Sequence, residues 1–258
     1  MTVRKISVGL LVVLMAMGAF VGYVQAEGFT VDNEFSSKYM WRGFDLFDDH
    51  GAWFASTDID LSEALGEGWG LNVWGAQPIG SGNEEVKELD YTVSFSNTVN
   101  DGEMDELEYT VGWTYYDLYE ANKKSDAQEI TLALTWPNAL KCGEVPLVPS
   151  LFIAQHWPDA GEKGTFYILG LDQEVTVEGC PYPLNLHADL TYNDSASAHP
   201  VTGSAPDSDF SHATIGISTD VEVMGVAITP YVNFQKSMDD SVNKEDELWA
   251  GFSTSITF

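Results

Sequence analysis

Twelve segments of this chain alternate side chains with period two, and one face of each segment carries no charge. In the first, Phe29, Val31, Asn33, Phe35, Ser37, Tyr39 and Trp41 share a face, while Asp32, Glu34, Lys38 and Arg42 share the other. The same sorting recurs through Trp53–Leu61, Trp69–Val73, Leu89–Phe95, Leu107–Tyr115, Ile130–Trp136, Leu151–Trp157, Tyr167–Val175, Leu184–Tyr192, Ala213–Val221, Val226–Phe234 and Leu248–Phe258. A soluble sheet also alternates, but its edge strands carry charges or Pro as protection against further pairing. A charge-free face on every strand is what hydrocarbon demands, and a closed barrel is the β-structure that leaves no backbone group unpaired in lipid. The pattern predicts an all-β fold: a transmembrane, antiparallel, up-and-down β-barrel of about twelve strands. Trp41, Trp53, Trp113, Trp136, Trp157 and Tyr192 lie at or near segment ends on the charge-free face, where interfacial girdles are expected.

The N-terminus agrees with export. Arg4 and Lys5 precede an apolar stretch from Ile6 to Tyr23, and Val24-Gln25-Ala26 offers a small-residue cleavage site. Residues 1–26 are therefore expected to be a cleaved signal peptide, and 27–258 a single barrel domain of the bacterial outer membrane. Composition narrows the partners. With 11 Lys+Arg against 40 Asp+Glu and a net charge of −29, the chain lacks the basic surface that nucleic acid requires. Its 8 Trp, 11 Tyr and 13 Phe exclude a disordered chain. The expected surroundings are membrane lipid and lipopolysaccharide, and the terminal Phe258 is the expected contact for the barrel assembly machinery.

With both termini on the periplasmic side, the outer loops fall at 43–51, 77–86, 117–126, 158–164, 194–209 and 237–246. The inner turns fall at 62–68, 100–105, 137–146, 177–183 and 223–225. Longer loops outside and shorter turns inside are the usual asymmetry of such barrels. Cys142 and Cys180 both land on inner turns, and two cysteines in an oxidising compartment are expected to form a disulfide there.

The segment Ser37-Lys38-Tyr39-Met40-Trp41-Arg42-Gly43 reads Ser-x-Tyr-x-x-Arg-Gly just after the signal peptide. It resembles the start of the Gcw_chp or TorF-type bacterial porins, and that resemblance implies a pore. Phe44-Asp45-Leu46 departs from the polar stretch usual in that family.

The inward face is the expected working surface. Lys38, Arg42, Glu88, Asp90, Glu129 and Asp189 are expected to line the pore. Asp32, Glu34, Asp58, Asp60, Glu106, Glu108, Asp172, Glu174 and Asp220 are expected toward its periplasmic end. Such carboxylates hold a negative potential that favours cations. Arg42 is expected to pair with Glu88, Asp90 or Glu129, either bracing the wall or marking a constriction that binds anionic groups of a solute. Inward Phe54, Trp74, Tyr116, Phe152, Phe166, Tyr231 and Trp249 narrow the path. The inward His156, His187 and His212, with Ser150 and Ser218, form no Ser-His-carboxylate set at one level, and no nucleotide or zinc-hydrolase motif is present. No enzymatic activity, cofactor or metal is expected. The sequence thus reads as a passive channel for small hydrophilic solutes or cations; the alternative is a closed barrel with a structural or surface-interaction role through its acidic outer loops.

Overall fold

The computed structural model describes residues 28–80, 87–119, 126–142, 145–159, 163–197 and 205–258. The proposed signal peptide lies outside them. Twelve long strands build the wall: β1 Phe29–Ser36, β2 Ala52–Asp60, β3 Trp69–Pro78, β4 Lys87–Val99, β5 Leu107–Tyr119 and β6 Ala127–Thr135. The second half follows as β7 Val145–Pro158, β8 Gly164–Val175, β9 Leu184–Asp194, β10 Ser208–Ser218, β11 Val226–Ser237 and β12 Glu247–Thr257. Each pairs antiparallel with its neighbours in sequence. The sheet closes where β1 meets β12, with Val31 opposite Ile256 and Phe35 opposite Phe252. The result is a closed, twelve-stranded, up-and-down barrel without a free edge. We call the end that holds Phe29 and Phe258 the inner end.

The distribution of apolar surface is inverted relative to a soluble protein. Ile215 is 60% exposed, Leu169 55%, Leu248 64% and Ile130 50%, all on outward positions of the wall. A contiguous belt of such side chains is unstable against water and suited to hydrocarbon. Aromatic rows bound the belt at both ends. Trp69, Phe95 and Tyr109 are in ring contact near the inner end, and Tyr167, Tyr192 and Phe210 near the outer end.

The described inner turns follow the sequence reading closely. The shortest inner turn is at Met224-Gly225, both with positive φ, as a tight hairpin turn requires. A single-turn helix, α1 (Ser62–Leu65), fills one inner turn. Short strands Leu140–Cys142 and Val221–Val223 extend two inner hairpins beyond the wall. Cys180 is exposed with a free thiol, and the Cys142 side chain lies outside the described residues, so the expected bridge is not among the described contacts.

The first segment departs from expectation. Alternation continues to Trp41, but β1 ends at Ser36 and the chain turns into the barrel. Tyr39 and Trp41, expected on the lipid face and, for Trp41, in a girdle, pack inside the lumen instead. Period two reports that a side chain is apolar and alternates; it does not report which apolar surroundings receive it.

Candidate functional site: a plug inside the barrel

The segment between β1 and β2 folds back as a miniature hairpin. Met40-Trp41 pairs with Phe44-Asp45, and Leu46 N–H donates to the Tyr39 carbonyl at 2.9 Å. Arg42 and Gly43 form its tip with φ of 47° and 97°, the paired left-handed conformations of a two-residue turn. Gly43 is required for a second reason: a Cβ there would lie 2.6 Å from His212 Nδ1 and 2.9 Å from Val242 Cγ1.

This hairpin carries the buried apolar cores found among the described residues. On one side Tyr39 and Phe47 pack with Ala52, Phe54 and Ala76 of the wall. On the other, Phe44 packs with Ala154, Phe166, Ala196 and Val242. Ala196 and Val242 belong to the connections after β9 and β11, so two outer loops close over the plug. Trp41 bridges both cores, in ring contact with Phe44, Tyr116, His156 and Phe166. Phe44 and Phe47 are each 1% exposed. Burial of that kind stabilises by about 1.5–3 kcal/mol per side chain, so the plug is a packed element and not a draped loop.

Four polar anchors tie it to the wall, and they account for the Ser-x-Tyr-x-x-Arg-Gly pattern residue by residue. Ser37 N–H donates to the Ala250 carbonyl at 2.9 Å, and Ala250 N–H donates back to Ser37 Oγ at 3.0 Å. Tyr39 donates its hydroxyl to Glu88 Oε2 at 2.8 Å. Arg42 makes a bidentate pair with Glu129, Nη1 to Oε2 at 2.5 Å and Nη2 to Oε1 at 2.7 Å. The Gly43 carbonyl accepts from Gln235 Nε2 at 3.0 Å. Of the three partners considered for Arg42, the fold selects Glu129.

The pair sits in a built enclosure. Glu129 is 1% exposed at its side chain and Arg42 12%. Tyr116 donates to Glu129 Oε1 at 3.2 Å, and His156 Nδ1 lies 3.5 Å from Oε2. The guanidinium carbon stands 4.7–5.1 Å from the ring centres of Trp41, Phe152 and Phe166. Held at two points by Glu129 and ringed by aromatic faces, Arg42 ties the plug to the wall.

Lys38 anchors the root of the plug. Its ammonium donates to Glu247 at 2.5 Å and to Asp49. Burial lowers its proton affinity, but the two carboxylate partners outweigh that and raise its pKa above the ordinary value. Asp45, beside this group, is pushed upward by burial against the backbone N–H donors of Asp49 and Phe47. Asp45, Asp49 and Glu247 bring carboxylate oxygens within 4.8 Å of one another, with Lys38 supplying counter-charge.

The remaining expected lumen residues divide by environment. Asp90 is 8% exposed beneath the plug. Glu34 accepts the Tyr231 hydroxyl. Asp32 accepts from Ser56 at 3.3 Å and Asp58 from Asn72 at 2.9 Å. His187 lies between Asp172 and Asp189 at 2.6 and 3.1 Å. Asp220 accepts from Asn185 and Thr229. Glu108 and Glu174 are exposed. Two residues serve turns: Asp60 accepts from the Ser62 N–H at 2.7 Å, and Glu106 accepts from Gly102 N–H and Asn138.

One pair escaped the alternation. The β9–β10 register slips between Thr191 and Tyr192, leaving Ser211 as an extra residue. Ser211 and His212 are both buried, with Ser211 Oγ 2.9 Å from His212 Nδ1. Strict alternation would send Ser211 outward. The Ser211 hydroxyl also lies 3.3 Å from the Thr191 carbonyl and is 0% exposed, so this contact fastens the bulge beside the Gly43 turn.

No known family matches the sequence, and no curated protein matches it. Solved structures do match the fold. A porin, KdgM, solved with disordered oligogalacturonate, has a TM-score of 0.53 at 10% identity over 89% of this chain and 99% of that one. LpxR from Salmonella typhimurium scores 0.52 at 10% identity over 89% and 100%. The NanC porin scores 0.50 at 7% identity over 89% and 100%. At such identities the likeness concerns the fold alone: this chain has the closed antiparallel barrel of the outer-membrane porins.

Proposed function

We propose that this chain is an outer-membrane channel for passive diffusion of small cations and hydrophilic solutes, with Ser37–Gly51 as its constriction. The carrying observation is the charge balance left inside once the plug is in place. Lys38 and Arg42, the basic residues of the first segment's inward face, are both consumed by carboxylates. Glu34, Asp58 and Asp90 then face the lumen without a basic partner among the described ion pairs, which favours cations over anions. An acidic oligosaccharide such as the one in the KdgM complex would meet like charge here. The resemblance to the Gcw_chp or TorF-type porins supports the same reading, as does a barrel of porin fold. Outer-membrane lipid, lipopolysaccharide and the assembly machinery at Phe258 are the partners this proposal entails; it entails no catalytic step.

The test is conductance in a planar bilayer under a salt gradient. The expected result is stepwise current whose reversal potential reports cation preference, reduced when Glu34, Asp58 and Asp90 are made amides. An inserted barrel that passes no current would overturn the channel. A second reading draws on the plug itself: two aromatic cores fill the outer half, as a closed barrel acting through its outer loops would require. Absence of steps in a plug-released variant as well would favour it.

A further inference from the structure

Beneath the plug lies a cavity of about 390 Å³, near the lower end of the usual ligand-pocket range. Three indoles line it: Trp41 from the plug, Trp74 from β3 and Trp249 from β12. The charged residues on its wall are Glu34, Asp90 and Lys38. Lys38 is held by Asp49 and Glu247, and Glu34 by the Tyr231 hydroxyl. Asp90 differs. It is 8% exposed, and its Oδ1 is buried without a hydrogen-bond partner. Ser36, on the same wall at 2% exposure, has the Tyr231 hydroxyl beside it. A buried acceptor left unpaired costs about 1–3 kcal/mol, more when charged. Such an atom on a cavity wall marks a place where something else completes the bonding.

The wall chemistry identifies the class. Indole faces are negative and attract cations, most strongly when water is excluded. A carboxylate among them adds the point charge that a cation needs. A bare divalent ion requires six or more oxygens, and much of this wall is aromatic. An anion would face Asp90 and Glu34. We propose that the cavity binds a small organic ammonium ion, its charged head caged by Trp41, Trp74 and Trp249 against Asp90. This inference rests on the barrel and the plug, and does not depend on conduction.

Calorimetric titration of the full chain in detergent micelles tests it, with choline as the probe. Its uncharged isostere 3,3-dimethyl-1-butanol and neutral glucose are the comparisons. Choline is expected to bind saturably with one site per barrel, and the isostere at least about tenfold more weakly. Asp90→Asn is expected to weaken choline by about tenfold or more, and Trp74→Leu to weaken it measurably. Fold retention is read from the difference in gel migration between heated and unheated samples. If Asp90→Asn does not fold, Trp249→Leu carries the same expectation. Equal binding of choline and its isostere, tighter binding of glucose, unchanged choline affinity in the folded variants, or no saturable binding by the wild type would each overturn the proposal. A barrel that binds choline but passes no current removes the channel and leaves this site standing; current without choline binding does the reverse.

Discussion

At the scale of single residues, the plug depends on Arg42 and Glu129. Removing one member of a buried ion pair leaves the other uncompensated, at a cost of about 3–5 kcal/mol. Glu129→Gln is therefore expected to free the plug from the wall while leaving the twelve-stranded ladder intact. Trypsin provides the readout, because Lys38 and Arg42 are themselves its targets. The wild type should resist cleavage at both, and Glu129→Gln should be cut rapidly at Arg42. Equal resistance would mean that the aromatic cores hold the plug without the pair. Arg42→Lys should resemble the loss of the pair, because an ammonium cannot reproduce the two-point contact. Gly43→Ala is expected to act on the same element through sterics, its Cβ driven toward His212 and Val242 from a backbone that favours glycine. Gly102, also at positive φ but with nothing within 4 Å, is the control: Gly102→Ala should cost about 1 kcal/mol and leave the plug protected. The inward position of Arg42 and its three candidate carboxylates were legible in the sequence. The choice among the three was not, since it depends on how far the turn at Arg42-Gly43 projects into the lumen.

At the scale of elements, alternation located all twelve strands and the turn at Met224-Gly225, because a wall between lipid and lumen imposes one period throughout. It failed in two places, each with a physical cause. Tyr39 and Trp41 continue the outward phase of β1, yet a twelve-stranded lumen is wide enough to hold a hairpin, and their rings find Phe47, Phe54, Tyr116 and Phe166 there. At Ser211 the inserted residue resets the phase locally, which a strict period cannot register. The plug's root also sets a pH expectation. The folded pKa of Lys38 is raised, so its contribution is fully present below its ordinary value of about 10.5 and is lost only as pH rises through the higher folded value. Plug anchoring should therefore not weaken between about pH 7 and 9.5, and trypsin cleavage at Arg42, corrected for the enzyme's own pH profile, should stay slow. Lys38→Met strands Glu247, 7% exposed at its side chain, and should loosen the plug by about 1–3 kcal/mol at every pH in that range. Faster wild-type cleavage toward pH 9.5 would show that another group governs the anchor. On the outer rim Asp246 is lowered by its hydrogen bond from Lys236, so that exposed contact persists above the ordinary carboxylate range and is lost as pH falls through the depressed value.

At the scale of the whole molecule, the fold is an inside-out protein with a second, ordinary core inside it. The outer belt is stable only against hydrocarbon, whereas the plug's aromatic clusters are buried in the manner of a water-soluble domain. The two should answer differently to the same substitution. Ile215, 60% exposed at an outward position of β10, pairs across the wall with Ala188 and Phe234. Ile215→Arg would place a charge on the lipid side, costing about 2–4 kcal/mol near the midplane of a bilayer. Phe44→Ala, inside the plug, should cost about 3–5 kcal/mol by leaving a cavity between Phe166 and Val242. Urea unfolding in lipid vesicles separates them. Ile215→Arg should lower the global midpoint monitored by strand content, while leaving Arg42 protected from trypsin below the transition. Phe44→Ala should expose Arg42 at urea concentrations where the strands remain intact, because the wall's hydrogen-bonded ladder closes through β1 and β12 without using the plug. If Phe44→Ala instead lowered both transitions together, wall and plug would form one cooperative unit, and release of the plug would require opening the barrel itself.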